Sequence, residues 1–298
     1  MTSESIIPVA TPPIILLGMH RSGTSLIARL LDELGLFQGH ELQEDHESTY
    51  FLEVNDRLMK RIGASWDNPS PAKGFLEDAR ALDLTVRCIS TDLQSGHFKG
   101  YLGGKRYFKQ RSLARIEGSW GWKDPRTVFT LPVWLSIFPN AKLLYIVRNG
   151  IDVAASLRVR EVRELARRID EYDGKQGQLN KHSMLERAGF KGSARCLSLA
   201  GGFGLWEEYV AEAERQLAAV PNERLIVRYE QFLAEPADAL TKLAVFCGVN
   251  PASDRIAAAV AAVNASRGAA FKSDSDLLSF YDQVRATRWM EHYQYDQL

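Results

Sequence analysis

The chain has 298 residues, enough for one large α/β domain or two small ones around a sizeable core. Its 37 Lys and Arg balance 37 Asp and Glu, which excludes a broad cationic surface for nucleic acid; a bound anion must be met by a few placed cations. No run approaches the ~20 apolar residues of a membrane span, and the three cysteines, Cys88, Cys196 and Cys247, sit in no metal-binding spacing.

Residues 1–13 read as a loose N-terminal arm ending at Pro12-Pro13. The arm has no cationic leader, and with the sparse cysteines this leads to the expectation of a cytoplasmic chain. Ile14–Leu17 is a short apolar run bounded by Pro and Gly, hence a buried strand. After it, Leu26, Ile27, Leu30, Leu31 and Leu34 recur at helical spacing and stop at Gly35. Helical patterns follow at Tyr50–Ile62 and Asp83–Asp92, with strands expected at Lys105–Lys109 and Ser119–Lys123. Thr127–Phe138 reads as a helix in which Pro132 suits the first turns better than the interior. Ala141–Val147 is the clearest central strand, because a near-continuous apolar run is expected where both sheet faces are covered. It ends in Arg148-Asn149-Gly150, and a helix begins near Ile151.

That helix runs into Arg158–Arg168, whose alternating charge reads as a solvated face. The polar, glycine-dotted stretch 170–195 is either a loop covering a substrate or a plain surface excursion. Phe203–Leu217 is an amphipathic helix, Arg224–Val227 a last strand, and alanine-rich helical sequence follows. This alternation predicts an α/β fold: a P-loop-like three-layer α/β/α arrangement with a central, mostly parallel sheet.

The loop Gly18-Met19-His20-Arg21-Ser22-Gly23-Thr24-Ser25 has the glycines of a Walker A phosphate cradle, with Ser25 in register. Its lysine position is Thr24, however, and a basic residue stands inside the loop at Arg21. The glycines still let backbone N–H groups converge on an anion at a helix N-terminus. What is lost is the cation that reaches the outer phosphates of a nucleoside triphosphate. The best core strand ends in Arg148 rather than in a carboxylate that would hold magnesium.

With both anion elements in view, the sequence resembles the sulfotransferases that use 3′-phosphoadenosine 5′-phosphosulfate (PAPS), and the bacterial and tyrosylprotein branches in particular. Gly18–Ser25 resembles the 5′-phosphosulfate loop, and Tyr145–Ser156 resembles the 3′-phosphate element. Further agreement lies in Asn55-Asp56-Arg57-Leu58, Ala64-Ser65-Trp66, Trp122-Lys123-Asp124-Pro125-Arg126 and Arg228-Tyr229-Glu230. The resemblance implies PAPS as donor, PAP as product, no metal, and a single sulfotransferase domain over 14–298. It implies donor contacts from His20, Arg21, Ser22, Gly23, Thr24, Ser25, Arg148 and Ser156. Tyr229 lies near the adenine or in the core.

Sulfuryl transfer is an in-line displacement in which charge gathers on the leaving oxygen, so fixed cations there supply much of the catalysis. Arg21 is the first candidate. Lys123 is the second, by its resemblance to the lysine stretch of tyrosylprotein sulfotransferases, although it could instead pair with Asp124 or lie exposed at a strand end. The acceptor hydroxyl needs a base. Glu47, eight residues before Asn55-Asp56, matches the bacterial interval best, with Glu41 and Glu44 as alternatives. His40 and His46 lack the spacing that places two metal ligands on one helix face.

A saccharide, a phenol or tyrosine, a lipid and a natural-product hydroxyl all remain open as acceptor. Trp66, Phe75, Trp289, Tyr293 and Tyr295 stack on it or belong to the core or an interface. A homodimer is compatible with the sequence. The competing functional readings are a nucleotide kinase or triphosphatase with a degenerate loop, and a non-catalytic nucleotide-binding scaffold.

Overall fold

The structure, a computed structural model, describes residues 7–110, 112–175 and 190–298. These form two compact units: one of residues up to Arg148 together with Tyr209–Gly268, the other of Asn149–Glu208 with Ala269–Leu298.

The first unit is built on four parallel strands in the order β2-β1-β3-β4. They are β1 (Ile14–Leu17), β2 (Gly121–Lys123), β3 (Lys142–Val147) and β4 (Arg224–Arg228). Helices α1 (Thr24–Leu34), α2 (Thr49–Arg61), α3 (Ser70–Glu77), α4 (Ala79–Gln94), α5 (Lys99–Gln110) and α6 (Thr127–Ile137) belong to the same unit. The chain runs on through α7 (Gly150–Lys175) and α8 (Leu199–Ala219), and α8 carries it from the second unit back into the first. After β4 come α9 (Tyr229–Ala234), α10 (Pro236–Phe246) and α11 (Ser253–Val260).

All four residues of β1 are buried, as are the last five of β3, because the sheet interior is covered on both faces. Successive strand residues alternate between faces. Ile14, Leu16, Leu144 and Ile146 pack with Leu30, Leu31, Leu34, Phe232, Leu240 and Leu243 of α1, α9 and α10. Burying a side chain of this size is worth roughly 1.5–3 kcal/mol. The sheet thus fixes the level at which β1 and β3 end, and the candidate site stands at those ends.

Two expectations need correction. Lys105–Lys109 is not a strand but the last turn and a half of α5. Its aromatic pair gave a false alternation: Phe108 is largely exposed, whereas the buried contacts come from Tyr101 and Leu102 a turn earlier. Pro132 lies inside α6, not in its first turn. The helix tolerates the missing N–H because it is apolar on almost every side and held by burial of Val128, Leu131, Val133, Trp134 and Ile137.

In the second unit, Gly150 opens α7 where a Cβ would strike the rings of Phe203 and Trp206. Asn149 accepts from the Ile151 N–H through its side-chain oxygen at 2.7 Å, which caps the turn. Asp152 accepts from the backbone N–H of Ala270 and Phe271, tying α7 to the segment that leads into α12 (Ser275–Val284) and α13 (Arg288–His292). Of the stretch 170–195, residues 176–189 lie outside the described residues.

Candidate active site

The loop between β1 and α1 is shaped by backbone constraints. Gly23 has φ 87°, and a Cβ there would land on the ring of Tyr229, so both its conformation and its contact require glycine. Gly18 meets the same limit against the Ile146 carbonyl of β3. Arg21 adopts φ 67°, a left-handed conformation uncommon for a side-chain-bearing residue and of the kind stored at functional sites. Arg148, at the end of β3, donates from Nη1 to the Arg21 carbonyl at 3.2 Å and from Nη2 to the Arg267 carbonyl at 2.9 Å. Its guanidinium lies 5.2 Å from the centre of the Tyr229 ring. The loop leads into α1, whose N-cap residue Gly23 contributes no side-chain cap to the N–H groups of the first turn, the kind of helix start at which anions bind. Ser22 and Thr24 are buried, Ser25 and His20 half-buried, and Arg21 exposed.

Beside the loop is a buried charge cluster built from three separate segments. Lys123, at the end of β2, is 2% exposed; its Nζ lies 2.9 Å from Glu47 Oε1, 3.0 Å from the Asp45 carbonyl and 3.3 Å from Ser25 Oγ. One ammonium therefore joins the anion loop to a carboxylate. Arg126 lies 3.8 Å from the other Glu47 oxygen and 2.9 Å from Asp124, with Asp56 at 3.9 Å. Asp124 in turn accepts from Asn55 Nδ2 at 2.8 Å. The Asn55 oxygen accepts from Thr130 and from the indole N–H of Trp134, so this buried amide is held from four sides. Burial pushes the Glu47 carboxyl up from the usual carboxylate range, with Asp124 acting in the same direction and Lys123 opposing.

Third in the site is an aromatic wall. The His20 ring stands edge-on to Trp66 at 5.0 Å and to Tyr209 at 6.4 Å, and Tyr209 donates to the Trp66 carbonyl at 2.8 Å.

The structure brings Glu47, Lys123 and Ser25 together; Glu41 and Glu44 are exposed and make no such contact. Tyr229 is buried in the core cluster with Phe232 and Leu233, and its ring lies against Gly23 of the loop. Ser156 is half-buried on α7, in the second unit. Trp289, Tyr293 and Tyr295 are buried in that unit, and Phe75 is exposed on α3. The sequence reading did not single out Arg126, Asn55 or Asp124 as parts of one network, nor the Arg267 carbonyl. For the first three the signal was present, in Asn55-Asp56 and Asp124-Pro125-Arg126, but nothing in the spacing joins the two stretches. Among the described residues, no three His, Cys, Asp or Glu side chains converge as a metal-binding set, and no helix is long and apolar enough to cross a membrane.

The site thus combines a glycine loop at a helix start with a lysine and a carboxylate that meet at its edge. The sequence model of the sulfotransferase family matches residues 12–254, and the chain belongs to that family. Similar solved structures include the sulfotransferase domain from the curacin biosynthetic pathway, at 17% identity and TM-score 0.48 over 93% of this chain and 99% of that one. The sulfotransferase from Alicyclobacillus acidocaldarius aligns at 15% identity and TM-score 0.45, over 92% of this chain and 93% of that one. The sulfotransferase domain from the Synechococcus PCC 7002 olefin synthase aligns at 16% and 0.43, over 93% and 89%. Among curated proteins, none matches the chain.

Proposed function

We propose that this sulfotransferase takes its sulfuryl group from PAPS and delivers it to an acceptor hydroxyl, with Glu47 as base and Lys123 and Arg21 as the cations at the leaving oxygen. The observation that carries this reading is the position of Lys123, in contact with both the loop residue Ser25 and Glu47.

The residues present fit such a donor. The Gly18–Ser25 cradle and the uncapped start of α1 suit a 5′-phosphosulfate, and Arg148, at the adjacent strand end, suits the planar, charge-assisted contact of a 3′-phosphate. Ser22, Thr24 and Ser25 supply hydroxyl donors at the loop, with His20 beside it. When bound, the donor supplies the sulfuryl group: its sulfur–oxygen bond to the phosphate breaks as a bond from sulfur to the acceptor oxygen forms. Glu47 takes the hydroxyl proton. Lys123 holds Glu47 ionised and oriented, and the same ammonium meets the charge that gathers on the departing phosphate oxygen. Arg126 and Asp124, fixed by Asn55, position Glu47 from its second oxygen. The His20, Trp66 and Tyr209 wall offers rings against which an acceptor can pack. The reading needs no metal, since the transferred group carries little net charge. A hydroxyl-bearing acceptor is the partner implied.

Radiolabelled PAPS presented with pools of saccharides, phenols, tyrosyl peptides and lipid alcohols tests the reading. Transfer to one pool is expected from the wild-type protein, and Glu47→Gln should bind donor yet transfer about 10²–10⁴-fold more slowly. Undiminished transfer by Glu47→Gln would remove Glu47 from the base role.

A further inference from the structure

Lys123 and the proposed base Glu47 meet at the tip of a tight hairpin. Leu42 and Ser48 form an antiparallel bridge. The Gln43 N–H donates to the Glu47 carbonyl and the His46 N–H to the Gln43 carbonyl, both at 2.8 Å. A three-residue loop of this kind, Glu44-Asp45-His46, needs a left-handed residue at its last position, where glycine is the default. Here that residue is His46, at φ 60°. Among the described residues, four other than glycine have positive φ, and two of them, Arg21 and His46, lie in the two segments that meet Lys123. Conformations of this kind persist where the surroundings hold them, and they gather at functional sites. The His46 ring is 14% exposed, and its Nε2 stands 3.4 Å from Asp32 Oδ2 of α1.

The left-handed residue stands between the two hairpin groups that Lys123 holds. Before it, the Asp45 carbonyl accepts from Nζ at 3.0 Å; after it, Glu47 Oε1 accepts at 2.9 Å; Ser25 Oγ is the third partner, at 3.3 Å. An ammonium has three donors, so two of its three partners here depend on the conformation of a single residue. An extended residue 46 would break the turn closed by its own N–H and straighten the chain at about 3.3 Å per residue. The Glu47 carboxylate would be drawn away from the ammonium that the Asp45 carbonyl holds.

We infer that His46 is a positioning residue, whose left-handed backbone seats the Asp45 carbonyl and the Glu47 carboxylate together on Lys123. Its effect on transfer rests on the reading of Glu47 as base; its effect on the Glu47 carboxyl does not. Around that carboxyl stand Lys123 and Arg126, which favour the ionised form, and Asp124, which with burial disfavours it.

Substitutions at position 46 test this by their tolerance of a left-handed backbone, which is high for glycine and asparagine, lower for alanine and least for valine. The Glu47 carboxyl is followed by carbon-13 NMR titration, its signal assigned by its loss in Glu47→Gln. Transfer is measured on the acceptor pool that the wild type sulfates. His46→Val should raise the Glu47 midpoint by about one pH unit, because a cation that favours the ionised form is no longer seated beside it. It should also slow transfer about 10²-fold through misplacement of the base, with PAP affinity within about twofold of wild type. His46→Gly and His46→Asn should lose no more than about threefold in transfer and leave the midpoint in place, and His46→Ala should fall between. If His46→Val fails to bind PAP, His46→Ala against His46→Gly carries the comparison. An equal loss in all four variants, a loss of transfer with the Glu47 midpoint unmoved, or wild-type behaviour of both His46→Val and His46→Ala would overturn the proposal. Undiminished transfer by Glu47→Gln would instead remove the base assignment, and the NMR midpoints would still decide the role of His46.

Discussion

The Gly18–Ser25 loop and the Lys123–Glu47 cluster adjoin one another yet are made in opposite ways. The loop is contiguous, and its proposed role lies in its backbone: φ 87° at Gly23, φ 67° at Arg21, and N–H groups at the start of α1. The cluster comes from three distant stretches, and its proposed role lies in side chains that meet at 2.9 Å. The shape of such a loop depends on its glycines, and substitution of the exposed Arg21 is expected to spare the fold even where it costs activity. The cluster has the reverse sensitivity, because a buried ion pair that loses one member leaves an uncompensated charge.

The comparison can be broken most sharply at the cluster. Lys123→Ala is expected to lower kcat by about 10²–10³-fold and to destabilise the fold by about 3 kcal/mol, read by steady-state kinetics and denaturant unfolding. If Lys123 were a simple surface lysine, neither would move. At the loop, Gly23→Ala should abolish measurable nucleotide binding in calorimetry, since the new Cβ meets the Tyr229 ring in a backbone conformation that costs a further 1–3 kcal/mol or so. Arg148→Ala should weaken binding of PAP by about 10–100-fold while leaving affinity for an analogue lacking the 3′-phosphate nearly unchanged.

A subtler effect is the pH profile. Burial raises the Glu47 carboxyl, so the proton leaves only above the ordinary carboxylate pKa of about 4.3. The base form, and with it kcat/KM, should therefore rise with pH through a midpoint above that value, and Glu47→Gln should remove this limb. Smallest of all, Glu41→Gln and Glu44→Gln should change kcat/KM by less than about twofold, because solvated side chains without structural partners rarely matter.

This contrast also explains what was legible in the sequence. Ile14–Leu17, Gly18–Ser25 and Ala141–Val147 were readable because apolar runs and glycine spacing act locally, and the observed strands and loop fall on them. The parallel sheet followed from the alternation of elements. By contrast, Lys105–Lys109 misled because five residues of mixed aromatic and basic character satisfy a strand period while the burial that decides the matter lies at Tyr101 and Leu102. Glu47 could be ranked first by its interval to Asn55, but its contact with Lys123 depends on β2 lying next to β1, a long-range pairing that no local pattern encodes. The Arg126, Asp124 and Asn55 network was hidden for the same reason.

The central claim, that the loop is a phosphosulfate cradle backed by a 3′-phosphate site, is tested most directly by calorimetry with PAP and with ATP plus magnesium. Tight binding of PAP, unchanged when magnesium is removed by a chelator, and weak binding of ATP are predicted. Preference for magnesium-ATP over PAP would contradict the account.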